Sequence, residues 1–206
     1  MTADIDIDTN TDSAAPPSEH RHVGAYVEML ISSLIGLFAS LILSIEAITL
    51  ATNPAAVLSC DISSKISCGV VAQTWQAQLF GWPNSFLGLI AEPVVITVAV
   101  AALGGVRFPR WFMLTAQAIY TLGFLFAWWL FYQSYFVIGA LCPWCLLITI
   151  TTTLVFMSMS RVNILDGNFG AGITRALTPA LSWWVDVWVS VLIIAALAAA
   201  VIFRYL

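Results

Sequence analysis

Five long runs of apolar residues dominate the chain, and the polar stretches between them differ widely in length. A helix rising 1.5 Å per residue needs about 20 apolar residues to cross a bilayer. Runs of that length extend from about Leu30 to Leu50, Ser85 to Leu103, Trp111 to Gln133, Pro143 to Ser160 and Ser182 to Phe203. The pattern predicts an all-α integral membrane protein with five spans. Residues 1–22 are polar and rich in Asp, Thr, Ser and Pro, which reads as a disordered tail. They lack the basic start and apolar core of a secretory signal. Residues 51–83 form a long loop broken by Asn53-Pro54, Gly81 and Trp82-Pro83. The remaining connections are Gly104 to Arg110, short and basic, Ser134 to Cys142, short and uncharged, and Arg161 to Leu181, with two arginines and several glycines.

Composition supports the membrane reading. The chain is 61% hydrophobic and 9% charged, against roughly 45–50% and about 25% in soluble domains. The net charge of −4 comes largely from the first 19 residues, which hold five of the eleven carboxylates. It gives no support for nucleic-acid binding. The basic residues predict the orientation. With the N-terminus cytoplasmic, Arg21, Arg107, Arg110, Arg161 and Arg175 lie inside, and Lys65 and Arg204 lie outside. This is the arrangement expected of a multi-pass protein of the cell membrane.

The candidate chemistry is in four cysteines. Cys60 and Cys68 lie in the first connection, and Cys142 and Cys145 lie where span four begins. Connections after odd-numbered spans face one side, so all four thiols share a face. By the charge rule that face is extracytoplasmic, where disulfides persist. Cys142-Pro143-Trp144-Cys145 is a C-x-x-C pair with Pro at the first helical turn. Backbone N–H groups at such a helix start favour the thiolate, the nucleophile of disulfide exchange. Cys60 and Cys68 flank a mostly polar linker, Asp61 to Ser67, which reads as a mobile loop able to visit two partners. Three readings compete: a redox relay, two inert structural disulfides, or a tetrahedral zinc site. A disulfide across C-x-x-C constrains almost nothing. A zinc site is disfavoured because no His lies near and the two spacings differ.

The order of features, a C-x7-C pair, then Asn84-Ser85 opening span two, then C-P-W-C opening span four, resembles the vitamin K epoxide reductase family over about residues 30–160. The runs Gly36 to Ser40 and Ile138 to Leu141 are similar to its actinobacterial members. The resemblance implies a four-helix transmembrane bundle around a quinone, with a fifth transmembrane helix added here. The implied organisation is a cytoplasmic tail over 1–22, a catalytic core over 23–160 containing loop 51–83, and an inner connection with the fifth span over 161–206. It implies that Cys60 faces a reduced partner, that Cys68 forms a transient disulfide with Cys142, and that Cys145 lies nearest the quinone. The segment Gly69 to Phe80 is implied to cap the pocket, with Val70, Val71, Trp75 and Leu79 toward the bilayer. Asn84 matches the residue whose amide bonds a quinone carbonyl, although a plain helix N-cap is the rival reading. Thr74 stands where vertebrate enzymes carry a serine and keeps a hydroxyl donor. Thr149 stands in place of a tyrosine, which weakens any epoxide-reducing role.

On this reading the protein is a quinone-dependent thiol–disulfide oxidoreductase, with menaquinone favoured by the actinobacterial likeness. It oxidises a DsbA-like dithiol protein outside the cytoplasm and so supports disulfide formation. With no thioredoxin-like domain after span five, that partner is expected as a separate polypeptide. DsbB itself places the C-x-x-C first, the reverse of the order here. The alternative from another class is a membrane scaffold or transporter subunit with structural disulfides, although no internal repeat points to transport. Glu46, about one turn from the outer end of span one, and Glu92, before Pro93, are ionisable groups in apolar spans. Each is either a proton carrier or a paired or snorkelling carboxylate. Trp128 and Trp129 either line a quinone pocket or pack in the core. His20 and His22 are expected to have no catalytic part.

Overall fold

The structure, a computed structural model, describes residues 22–182 and 185–205. The expected tail, including His20, lies outside those residues apart from His22. Helices run over Val23–Thr52 (α1), Cys68–Ala72 (α2), Ser85–Leu103 (α3), Arg110–Tyr132 (α4), Pro143–Leu165 (α5), Ala171–Ser182 (α6) and Val185–Tyr205 (α7). A 3₁₀ turn covers Trp75–Gln78, and α4 continues into a π-helical turn over Gln133–Ile138. Five helices are long and apolar enough to cross a membrane, which agrees with the expected spans. Among the described residues the only β pairing is a single parallel bridge, Ile66 to Leu141.

Helix α1 packs most extensively on α3 and α5, and α4 packs on α5. The cause is a stripe of small residues. Ser33, Gly36, Ser40 and Ser44 recur at helical spacing on α1 and are buried. In lipid there is no hydrophobic drive between helices, so small residues that let backbones approach carry the packing. A side chain at Gly36 would stand 3.1 Å from both Glu92 Oε1 and Thr151 Oγ1. One at Gly88 of α3 would press into Ser40, coming within 2.8 Å of its Cβ. Ser44 also donates to Ser85 Oγ across the same seam at 3.0 Å. The apolar side chains facing away from the seam, among them Ile31, Leu34, Phe38, Leu41 and Ile45, are exposed, as a lipid-facing surface requires.

The end of the bundle away from the cysteines is closed by polar bonds. Asn163 donates to Gln117 at 3.1 Å, Asn168 donates to Asn163 at 2.8 Å, and Arg110 Nε donates to the Asn168 carbonyl at 2.7 Å. His22 pairs with Asp166 at 3.0 Å, so it ties the start of α1 to the end of α5. Helix α7 joins through Arg161, whose guanidinium donates to both oxygens of Asp186 at 2.9 and 2.7 Å.

The connection from Arg161 to Leu181, whose structure the sequence left open, contains the helix Ala171–Ser182. Two sequence expectations change. Helix α1 starts at Val23, seven residues before the apolar run. The expected short connection before Cys142 is mostly helical, since the chain continues as a π turn to Ile138.

Candidate active site

The four cysteines meet at one end of the bundle. Cys60 and Cys68 form a disulfide with Cα atoms 5.7 Å apart, while Cys142 and Cys145 are free thiols. Cys142 Sγ lies 3.1 Å from Cys68 Sγ. Both pairs belong to one apolar cluster with Leu50, Leu58, Val71 and Ala140. Cys145 sits one helical turn inward, and its backbone N–H points at Cys142 Sγ at 3.3 Å.

Main-chain bonds bring the pairs together. Ser67 N–H donates to the Leu141 carbonyl at 3.0 Å, and Leu141 N–H donates to the Lys65 carbonyl at 2.8 Å. These two bonds place Ile66 and Leu141 side by side, two residues before Cys68 and one before Cys142. Ser67 also N-caps α2 by accepting from Val70 N–H at 3.1 Å.

Asp61 fixes the rest of the loop. It accepts from the Ser67 hydroxyl at 2.6 Å, from Gly69 N–H at 3.0 Å and from Leu58 N–H at 2.9 Å. Desolvation alone would raise the pKa of this carboxyl. The hydrogen bonds from Ser67, Gly69, Leu58 and the Cys68 backbone outweigh it and hold the carboxyl below its usual value. The segment expected to be a mobile linker is therefore docked at both ends. Cys60 is only 6% exposed, so an incoming thiol reaches it only when this loop lifts. The sequence signal for the anchor is an Asp and a Ser preceding a helix start, both ready acceptors for backbone N–H groups.

Of the readings open for Glu46, the structure removes snorkelling. Rather than extending to the interface, it is 8% exposed. Its Oε2 lies 3.3 Å from Cys60 Sγ, and its Oε1 accepts from the Ser59 hydroxyl at 2.8 Å. No local pattern joins a residue in the first span to a cysteine 14 positions later.

Beneath the cysteines a cavity of about 1220 Å³ opens between α1, α3, α4 and α5. Cys68, Cys142 and Cys145 reach its wall, which is otherwise mostly apolar and includes Leu87, Phe126 and Phe131. Asn84 and Thr74 are at the same wall. Asn84 occupies the N-cap position of α3 but makes no side-chain cap bond, which removes the plain-cap reading. Its Nδ2 donates to the Gln76 carbonyl at 2.6 Å, while its buried Oδ1 has no partner. The Thr74 hydroxyl donates to the Val71 carbonyl at 2.7 Å, so its single proton is committed within the cap. Thr149 also lines the cavity, and its hydroxyl donates to the Cys145 carbonyl at 3.0 Å.

The cap differs in part from expectation. Val70, Trp75 and Leu79 are exposed as expected of bilayer-facing residues, but Val71 is buried against the cysteine cluster. Trp128 and Trp129 are not in the cavity wall. Trp128 Nε1 donates to Thr153 Oγ1 at 3.1 Å, and Trp129 stacks on Phe126 with Trp75 beyond it. Glu92 does reach the wall. It is buried, accepts from the Tyr120 hydroxyl at 3.3 Å, and leaves Oε2 unpartnered.

A comparison with curated proteins finds no match. A comparison with family models finds one, the vitamin K epoxide reductase family, over residues 27–160. That stretch is well over half the chain and contains most of α1, all of α3 and α4, most of α5 and all four cysteines. The chain belongs to the vitamin K epoxide reductase family, and with its five apolar helices it is a membrane oxidoreductase working through thiols.

Proposed function

We propose that the protein oxidises an extracytoplasmic DsbA-like dithiol protein and passes the electrons to a membrane quinone, menaquinone by preference. The observation that carries this reading is the 3.1 Å approach of Cys142 Sγ to Cys68 Sγ, with Cys145 at the wall of an apolar cavity. A partner dithiol reduces the Cys60–Cys68 disulfide. Cys68 thiolate then attacks Cys142 Sγ of a Cys142–Cys145 disulfide, forming the Cys68–Cys142 bond and releasing Cys145 as thiolate. Cys60 attacks Cys68 Sγ, restores the loop disulfide and leaves Cys142 and Cys145 reduced. The bonding pattern described above, loop pair closed and C-x-x-C pair open, corresponds to the end of that exchange.

The cavity suits a quinone. It is larger than the roughly 300–1,000 Å³ common for ligand sites, apolar over most of its wall, and open to a lipid-soluble molecule. Asn84 Nδ2 carries a second proton beyond the one given to the Gln76 carbonyl, which would donate to a quinone carbonyl, and its orphaned Oδ1 would accept from the hydroxyl of the reduced ring. Asn84 would hold the ring through its amide, and Cys145 would face it. A bound quinone supplies an acceptor for two electrons and two protons. Residues 23–160 form the catalytic core in this reading, and 161–206 add the fifth helix. The basic residues favour a cytoplasmic N-terminus with the cysteines outside.

The test is quinone reduction followed by absorbance in detergent. It uses purified protein, a reduced DsbA-like protein and a menaquinone analogue, with wild type beside Cys145→Ser. Turnover is expected in wild type and absent in the variant. No turnover from folded protein with several quinones and dithiol partners would transfer the case to a scaffold or transporter subunit with structural disulfides.

A further inference from the structure

Glu46 is buried beside a reacting sulfur, and the exchange described above gives it no role. Its Oε2 lies 3.3 Å and its Oε1 3.5 Å from Cys60 Sγ. Oε1 also accepts from Ser59 at 2.8 Å. Ser59 is exposed, whereas Cys60 and Glu46 are buried. The carboxyl thus bridges a sulfur sealed from water and a hydroxyl open to it. Cys60 needs such a bridge. It must lose a proton before it attacks, and it must regain one after it leaves. The thiolate is the nucleophile, and little of a sealed thiol is in that form without a base.

We infer that Glu46 is the proton carrier for Cys60, acting as general base when Cys60 closes the loop disulfide and as general acid when a partner opens it. This rests on the electron path proposed above. In the closing step, Glu46 carboxylate takes the Cys60 thiol proton. The Cys60 sulfur attacks Cys68 Sγ, the Cys60–Cys68 bond forms, and the Cys68–Cys142 bond breaks with its electron pair on Cys142. In the opening step, a partner thiolate attacks Cys60 Sγ and displaces Cys68. The partner's second thiol then resolves that mixed disulfide, and the departing Cys60 sulfur receives the proton held on Glu46. Each turn therefore returns Glu46 to its starting state, and Ser59 offers the contact with solvent for any surplus proton.

The other groups around Glu46 do not replace it. Asp61 is committed to Ser67, Gly69 and Leu58. Cys68, Cys142 and Cys145 are themselves reactants. Lys65, in the same loop, is exposed.

The experiment uses the full chain in nanodiscs, fully oxidised and then given a stoichiometric dithiol. Aliquots are quenched with an alkylating agent over time at several pH values. Peptide mass spectrometry under non-reducing conditions counts the Cys68–Cys142 linkage. With Glu46→Gln the linkage is expected to form at the wild-type rate and to decay roughly a hundredfold more slowly, the low end for general-base assistance. Its decay should also follow hydroxide concentration. Glu46→Asp should recover part of the rate. Equal thermal unfolding of wild type and variant, with the Cys60–Cys68 disulfide formed in both, excludes misfolding as the cause. If Glu46→Gln clears the linkage as fast as wild type at every pH, the proton role is overturned while the electron path stands. If wild type never forms the linkage, the electron path fails, and this inference fails with it.

Discussion

The anchoring of the cysteine loop by Asp61 yields a quantitative expectation. Replacing Asp61 with Ala removes acceptors from three donors, the Ser67 hydroxyl and the Gly69 and Leu58 N–H groups. A hydrogen bond to a charged group contributes about 1.5–3 kcal/mol. Asp61 is half-buried, so water replaces part of what is lost, and screening lowers the total further. A net cost of about 2–3 kcal/mol for holding the loop closed is reasonable from these terms. At about 1.4 kcal/mol per factor of ten, the loop should open roughly 30- to 150-fold more often. Amide hydrogen exchange of the full chain in nanodiscs reads this directly, because local opening sets exchange rates. Peptides containing Leu58 and Gly69 should exchange faster by that factor, while peptides of α4 should not change. Faster opening should also expose Cys60 to small dithiols. Unchanged exchange at Leu58 and Gly69 in a folded Asp61→Ala protein would refute the anchor and with it the account of how Cys68 is held beside Cys142.

Three further expectations follow from the geometry. Because hydrogen bonds hold the Asp61 carboxyl below its usual value, its contribution to loop closure is fully present above the unfolded carboxylate pKa of about 3.9. It is lost as pH falls through the lower folded value, so exchange protection of Gly69 should persist at pH 4 and collapse below it, while Asp61→Asn should show no such acid transition. Gly88→Ala should part α1 from α3, since the new Cβ stands 2.8 Å from Ser40 Cβ; overpacking of this kind costs about 1–3 kcal/mol, seen as a lower unfolding temperature in detergent that Ser40→Gly restores. Asp186→Ala leaves Arg161 without the carboxylate that accepts two of its hydrogen bonds. Breaking a largely buried pair costs about 3–5 kcal/mol, so α7 should become accessible to protease while the Cys60–Cys68 disulfide still forms.

The five spans were legible because a bilayer demands long apolar runs, and no tertiary contact is needed to see them. The two cysteine pairs were legible for a similar reason, since spacing and the odd or even number of spans before each pair, which puts both at one end of the bundle, are one-dimensional properties. What the sequence concealed depends on contacts between distant positions. Glu46 stands out in the sequence as an ionisable group in an apolar span, but its contact with Cys60 exists only once the loop folds over it. Asn84 reads in the sequence as a quinone-binding amide or as a helix cap, and only the structure shows its amide turned toward Gln76 with Oδ1 orphaned. Trp128 and Trp129 are read from the sequence as either pocket wall or core, and the helix rotation of α4 turns Phe126 and Phe131 to the cavity instead. The helix Ala171–Ser182 escaped because Gly172, Pro179 and the glycines just before it resemble a loop in composition, while its contacts with α5 and α7 supply the order.

The two backbone bonds between residues 65–67 and Leu141 have a consequence for how this protein can vary. The distance from Cys68 to Cys142 is set by counting peptides from that bridge, two residues on from Ile66 and one on from Leu141, and not by any particular side chain. Side chains in the bridge are therefore free to drift, but chain length there is not. One inserted residue between Ile66 and Cys68, or between Leu141 and Cys142, displaces a sulfur by about 3.3 Å, as far as the present gap between them. An insertion in the turn at Ser63 or Ser64, outside the bridge, leaves the count intact. A scan of single-alanine insertions, read by Cys68–Cys142 cross-linking, should therefore divide sharply between a tolerant turn and two intolerant junctions only a few residues away.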